Sequence, residues 1–181
     1  MGVQKLLLPF GGKTIIAHIV DQLLLSTVDE VYVIVGHKAE SIRAELSDRA
    51  ISILNNPNYK TGMLSSVRCG LQQLPENCRA VMVVLGDQPS ITTGLIDKML
   101  QSFTTTEKNI LVPLHKGKRG HPILFSSHYR DEILAQYGDV GLRGLLYSHS
   151  DDVLELDVPT SSVLCDMDYP EDYRRELGFE Q

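Results

Sequence analysis

Cysteine is scarce in this sequence. Cys69, Cys78 and Cys165 are the three among 181 residues, an odd number, widely separated and without metal-ligand spacing. A disulfide framework is thereby excluded, and reduced, semi-buried thiols in a cytoplasmic protein are the expectation. Long hydrophobic runs are missing too. No stretch approaches the length of a membrane span, and "LLLPF" is broken by Gly11, Gly12 and Lys13 too soon for a signal-peptide core. Net positive charge is also absent: 17 Lys and Arg stand against 23 Asp and Glu, a formal charge of -6. A protein built to grip a nucleic-acid backbone would carry the opposite balance. A nucleotide ligand stays open, because a few local cations, backbone amides and a metal suffice to hold phosphates. Internal repeats, linkers and low-complexity segments are lacking as well.

What remains is an ordinary globular composition, 43% hydrophobic and 22% charged, with length for a sizeable core in a single domain spanning 1–181. Ile15, Ile16, Ile19, Val20, Leu23 and Leu24 recur at helical spacing, so Lys13 to Ser26 reads as an amphipathic helix. "EVYVIVG" and "AVMVVLGD" are continuous β-branched or apolar runs, the pattern of strands buried on both faces. Between and after them, "KAESIRAELS", "MLSSVRCGLQQL" and "TTGLIDKMLQSF" read as helices and "AISILNN" as a short strand. The alternation predicts a doubly wound α/β fold, a mainly parallel sheet with helices on both faces. After Asn109 the rhythm breaks, with two strands, "NILVPL" and "HPILF", joined by the basic loop "HKGKRG". One antiparallel neighbour is expected there.

Ligands of open α/β sheets bind beyond the carboxyl ends of the strands. "VVLGDQP" places Asp87 at such an end, although an Asp-containing turn before Pro89 explains it equally well. "LCDMDYPEDY" supplies further acids. Glu171 and Asp172 suit the positive end of the last helix, whereas Asp166 lies too far upstream for that. Two carboxylates from separate strand ends, converging on one crevice, suit a hard cation such as Mg²⁺. "RGHPILF" offers Arg119 for bidentate contact with phosphate and His121 as a donor to an anion, against the alternative of a solvated basic loop. Arg143, in the helix of "GDVGLRGLL", can face the same crevice. The other histidines are scattered and read as structural or surface groups.

The order of these motifs resembles the molybdopterin nucleotidyltransferase-like family, specifically its molybdenum cofactor cytidylyltransferase branch. "MGVQKLLLPFGGKTII", "NPNYKTGMLSSVRCGL", "VVLGDQP", "RGHPILF", "GDVGLRGLL" and "DMDYPEDY" carry the resemblance from Met1 to about Tyr173. "GDQP" with "RGHP" favours this branch over the guanylyltransferase one. The resemblance implies a Rossmann-like nucleotidyltransferase fold that binds a nucleoside triphosphate, CTP by preference, and moves CMP to a molybdopterin-type acceptor. It implies that Lys5 contacts phosphates, that Asp87 and Asp166 hold Mg²⁺, and that Gly62, Ser65 and Ser66 meet the base or ribose. Arg119, His121 and Arg143 would face the acceptor.

Two departures stand out. Family members begin with a strand and a loop of the form L-A-A-G-x-S-x-R-M-G-x-x-K, of which Met1, Gly2 and Lys5 match only the tail. The expectation is therefore a fold whose first strand is missing, with a gap in the sheet that favours association between chains. Either Met1 is an internal methionine of a longer, active protein, or the short chain is real and the sheet closes or borrows a strand. The second departure is Tyr169, where relatives commonly place threonine as a helix cap. A non-catalytic protein that binds molybdopterin cofactor and delivers it to a partner such as a molybdenum hydroxylase is the rival reading. A sugar-phosphate nucleotidyltransferase would share the fold, but "RGHP" and "GDVGLR" give it little support.

Overall fold

The computed structural model describes residues 5–167 and 170–176, so Met1, Gly2, Asp168 and Tyr169 lie outside the described residues. After a 3-10 turn at Lys5–Leu7 come β1 (Pro9–Phe10), β2 (Lys13–Thr14), α1 (Ile15–Leu24), β3 (Tyr32–Val35), α2 (Ala39–Glu45), β4 (Ser52–Asn55), α3 (Met63–Leu71) and β5 (Ala80–Val83). The second half contains α4 (Thr93–Thr105), β6 (Ile110–His115), β7 (Lys118–Arg119), β8 (Ile123–Ser126), α5 (Arg130–Ala135), α6 (Leu142–Ser148), β9 (Val153–Asp157) and α7 (Pro170–Glu176).

The expected first helix is shorter than its apolar pattern, because Lys13 and Thr14 belong to a hairpin. Phe10 pairs with Lys13 and Pro9 with Thr14 around Gly11 and Gly12, both at positive φ, 57° and 84°. Such a two-residue turn matches strand twist and asks for residues that tolerate positive φ. Thr14 then caps α1, its hydroxyl accepting from the Ala17 amide at 3.3 Å.

β3 and β4 run parallel. In the larger sheet β8 lies antiparallel between β5 and β6, and β9 runs parallel to β6. β5, β6 and β9 therefore point one way, with β8 as the expected antiparallel neighbour. Alternation along the strands fills two cores. Ile110, Val112, Ile123 and Phe125 pack with α3, α5 and α6, and Leu111 and Leu124 pack with α4 and Val163. Helices thus cover both faces.

Two expectations of burial need correction. The runs that became β3 and β5 read as fully buried, yet Tyr32, Val33 and Ile34 and all four residues of β5 are only half-buried. Among the described residues no ladder joins β3–β4 to the larger sheet. Each of these strands therefore keeps an edge on which its side chains are less covered. The N-terminal segment and α1 bridge the two parts. Leu6, Leu7 and Val33 pack against the cluster that holds Ile16, Val20 and Val35, and Leu8 and Val84 pack against the cluster of Ile15, Ile19 and Met167.

α1 is tied to its surroundings by one carboxylate. Asp21 accepts from Arg49 Nε at 2.7 Å and from Lys13 Nζ, joining the hairpin to the segment after α2. The Arg49 hydrogen bond, helped by Lys13 and opposed by burial, holds the Asp21 carboxyl below the usual aspartate range. A lowered folded-state value stabilises the fold above the unfolded value of about 4 and loses that contribution as pH falls through the folded value. Urea titrations of Asp21→Asn should therefore show a deficit of about 1–2 kcal/mol at pH 6–7. That deficit should close as wild type is taken below about pH 4. A deficit unchanged at pH 3 would contradict this account.

Candidate active site

β5 runs out through Val84, Leu85 and Gly86, and Asp87 stands just beyond its carboxyl end. Its side chain is 23% exposed and its Oδ2 accepts from Lys5 Nζ at 2.6 Å. A second segment closes against this point. The Met167 amide donates to the Asp87 carbonyl at 3.1 Å, and Gln88 Nε2 donates to Asp166 Oδ1 at 2.5 Å. Residues 87 and 166 are thus neighbours in space. One detail differs from expectation. Asp166 is not at a strand tip: β9 ends at Asp157, and Asp166 follows a 3-10 turn at Ser161–Leu164.

His121 belongs to the same neighbourhood. Its amide donates to the Val163 carbonyl at 2.9 Å, which fastens the loop after β7 to the segment carrying Asp166. Burial lowers the affinity of its imidazole for a proton, Asp166 and Asp87 oppose that, and Arg143 reinforces it. The ring is therefore neutral at pH 7, with one nitrogen to donate and one to accept. Nε2 is buried and without a hydrogen-bond partner among the described residues. Arg143 lies exposed in the first turn of α6, close enough to act on the ring. Arg119, two residues from His121, goes elsewhere. Leu114 pairs with Arg119 and Val112 with Glu155, which sets both charged groups beside β6. There Arg119 Nε donates to Glu155 at 2.7 Å. The structure therefore groups Lys5, Asp87, Asp166, His121 and Arg143, and leaves Arg119 in a surface ion pair.

Gly62, Ser65 and Ser66 form a second group around a residue that sequence reading took for part of a turn. Asn56, only 3% exposed, follows β4, and its amide donates to Val35 O at the end of β3. Its Nδ2 donates to Ser65 Oγ at 2.8 Å and to Ser66 Oγ at 3.0 Å, while its Oδ1 accepts from the Asn58 amide. Ser65 Oγ also lies within donating distance of the Gly62 and Asn58 carbonyls. Gly62 opens α3 at φ 108°, a conformation that a side chain would resist. Leu6 packs against the cluster that includes Val35 and also lies beside Gly86.

The oxygen donors of Asp87 and Asp166 fit a hard divalent cation. Mg²⁺ is commonly held by one or two carboxylates together with substrate phosphates, not by a full protein cage. Among the described residues, no group of three or more His, Cys, Asp or Glu is placed to hold a metal ion.

A family profile described as the MobA-like NTP transferase domain matches residues 1–153. The chain belongs to this family. A curated relative, the molybdenum cofactor cytidylyltransferase of Escherichia coli, is 24% identical over 175 residues, covering 96% of this chain and 86% of that protein. The MobA-like chain also resembles the nicotine blue oxidoreductase of Paenarthrobacter nicotinovorans, 25% identical over 78% of this chain and 72% of that one. It spans only 24% of the bifunctional protein GlmU of Staphylococcus saprophyticus, to which it is 30% identical over 108 residues. Among solved structures, Rv0371c of Mycobacterium tuberculosis aligns with TM-score 0.87 at 26% identity, covering 98% of this chain and 90% of that one. A manganese complex of the same protein aligns with TM-score 0.83 at 26% identity, covering 96% and 91%.

Sequence reading missed Asn56 and Gln88. Both are polar and at most 3% exposed, and both make their contacts only after folding. The signal for Gln88 was its place directly after Asp87. For Asn56 it was a polar residue closing an apolar strand.

Proposed function

We propose that this nucleotidyltransferase-family chain transfers CMP from CTP to the phosphate of a molybdopterin-type acceptor, with Mg²⁺ and with release of pyrophosphate. One observation carries the reading: Asp87 meets Lys5 at 2.6 Å, with Asp166, His121 and Arg143 in the same neighbourhood. The cytidylyltransferase relative supports the choice of base and acceptor, and the manganese complex of Rv0371c supports a divalent metal.

In the reaction, an oxygen of the acceptor phosphate attacks the α-phosphorus of CTP. The bond from that phosphorus to the bridging oxygen breaks, and pyrophosphate leaves with the electron pair. No covalent enzyme intermediate is needed, so rate comes from in-line positioning and from stabilising charge on the phosphoryl oxygens. Asp87 and Asp166 would hold the metal, which when bound templates the triphosphate and acts as a Lewis acid. Lys5 would neutralise phosphate charge from the other side. Arg143 is a fixed cation for the acceptor phosphate, and neutral His121 can donate to the acceptor without adding charge. Gly62, Ser65 and Ser66, ordered by Asn56, would meet the base or ribose.

The decisive assay is pyrophosphate release from CTP with Mg²⁺, with and without a molybdopterin acceptor. Release that needs both CTP and acceptor, and that GTP supports at least about tenfold less well, is the expected outcome. Acceptor binding without release would favour the delivery protein instead.

A further inference from the structure

We infer that Gln88 is a positioning residue that fixes Asp166 beside Asp87 and so sets the affinity of the pair for a divalent cation. The inference rests on the reading of these aspartates as metal-holding groups. Gln88 is 1% exposed, in the turn after β5, and its Nε2 donates to Asp166 Oδ1 at 2.5 Å across 78 positions of sequence. Asp166 itself is exposed and sits on a segment that is neither helix nor strand. A carboxylate there is otherwise free to turn toward solvent. The backbone contact from Met167 to Asp87 brings the segment near, and the amide of Gln88 fixes the direction of the side chain.

The orientation of that amide is dictated by chemistry. An ionised carboxylate only accepts, so the NH₂ must face Asp166 and the carbonyl must face away. The carbonyl then lands in the interior: Gln88 Oε1 is buried and has no hydrogen-bond partner among the described residues. A buried acceptor without a donor is unfavourable, and methionine would fill the same space without it. Packing therefore does not account for an amide at this position, whereas holding Asp166 does. Groups that orient a metal ligand by hydrogen bonding commonly change metal affinity by about 10–100-fold when removed.

The test is Mn²⁺ binding to the full chain, followed by electron paramagnetic resonance of the free ion, for wild type, Asp166→Ala, Gln88→Met, Gln88→Leu and the Gln88→Met, Asp166→Ala pair. Gln88→Met is expected to weaken Mn²⁺ binding about tenfold or more. Its melting temperature should stay at or above that of wild type, since the orphaned carbonyl is gone. In the Asp166→Ala background the Gln88→Met change should have no further effect on Mn²⁺. Equal Mn²⁺ affinity in wild type and Gln88→Met would overturn the role of Gln88 while leaving the aspartates standing. Loss of the fold in both Gln88→Met and Gln88→Leu would overturn it too, since the amide would then be structural. If Asp166→Ala binds Mn²⁺ as wild type does, the metal reading itself fails, and with it the inference.

Discussion

Asp87→Asn is expected to lower the rate of pyrophosphate release at saturating CTP and Mg²⁺ at least about a hundredfold. The melting temperature should hardly move. Asparagine keeps the shape of the side chain and can still accept from Lys5, so the turn after β5 has no steric reason to rearrange. What it loses is the charge. A neutral amide is a poor ligand for a hard dication, and the Lys5 ammonium, 2.6 Å from Oδ2, loses its ion pair with residue 87. The ion pair is partly exposed, so its contribution to stability is at most about 1 kcal/mol. The contribution to turnover is larger because it falls where phosphoryl charge develops in the transition state. Rates within about threefold of wild type would remove Asp87 from the reaction. A drop in melting temperature as large as the loss of activity would assign it to folding instead.

The parts of this molecule that could be read in advance are those where a local pattern decides the structure. The apolar face of α1 recurs every three to four residues. The apolar run of β5 and the residues after it, which stops at Gly86, delivers Asp87 to the carboxyl edge of the sheet. Residues 109–125 broke the α/β rhythm and did become the strands around the antiparallel β8. The hairpin of β1 and β2 was less visible, since "FGGK" is a two-residue turn only when its flanks pair. Tertiary register was invisible. Arg119 and His121 sit two residues apart and were expected to share a task. Pairing of β7 with β6 instead puts Arg119 in reach of Glu155, while the His121 amide turns to Val163. Gln88 and Asp166 are 78 positions apart, and no local rule joins them.

What brings these distant groups together is the seam between the loop after β7 and the turn after β9, and Gly120 lies at its tightest point. A Cβ at this position would stand 2.2 Å from the Val163 carbonyl oxygen and 2.8 Å from the carbonyl carbon. Backbone cannot yield as a flexible side chain does. Val163 is fully buried against α4, and its carbonyl already accepts from the His121 amide at 2.9 Å. Gly120→Ala must therefore move either the Ser161–Leu164 turn or the end of β7, where the Gly120 amide donates to Pro113 O at 2.9 Å. Overpacking of this kind costs about 1–3 kcal/mol, and the contact here is with backbone, so about 3 kcal/mol is expected. For a chain of this length that is a fall in melting temperature of about 6–12 °C. Activity should fall further than stability requires, because a displaced turn carries Asp166 and Met167 away from Asp87. Gly94→Ala is the matched control: Gly94 is exposed in the first turn of α4, with nothing within 4 Å of the added carbon. Alanine there should be neutral or stabilising by up to about 1 kcal/mol, since it restricts the unfolded chain and favours helix. Similar melting temperatures for the two variants would show that the seam at Val163 can open without cost, and the geometry that unites Asp87, Asp166 and His121 would lose its physical basis.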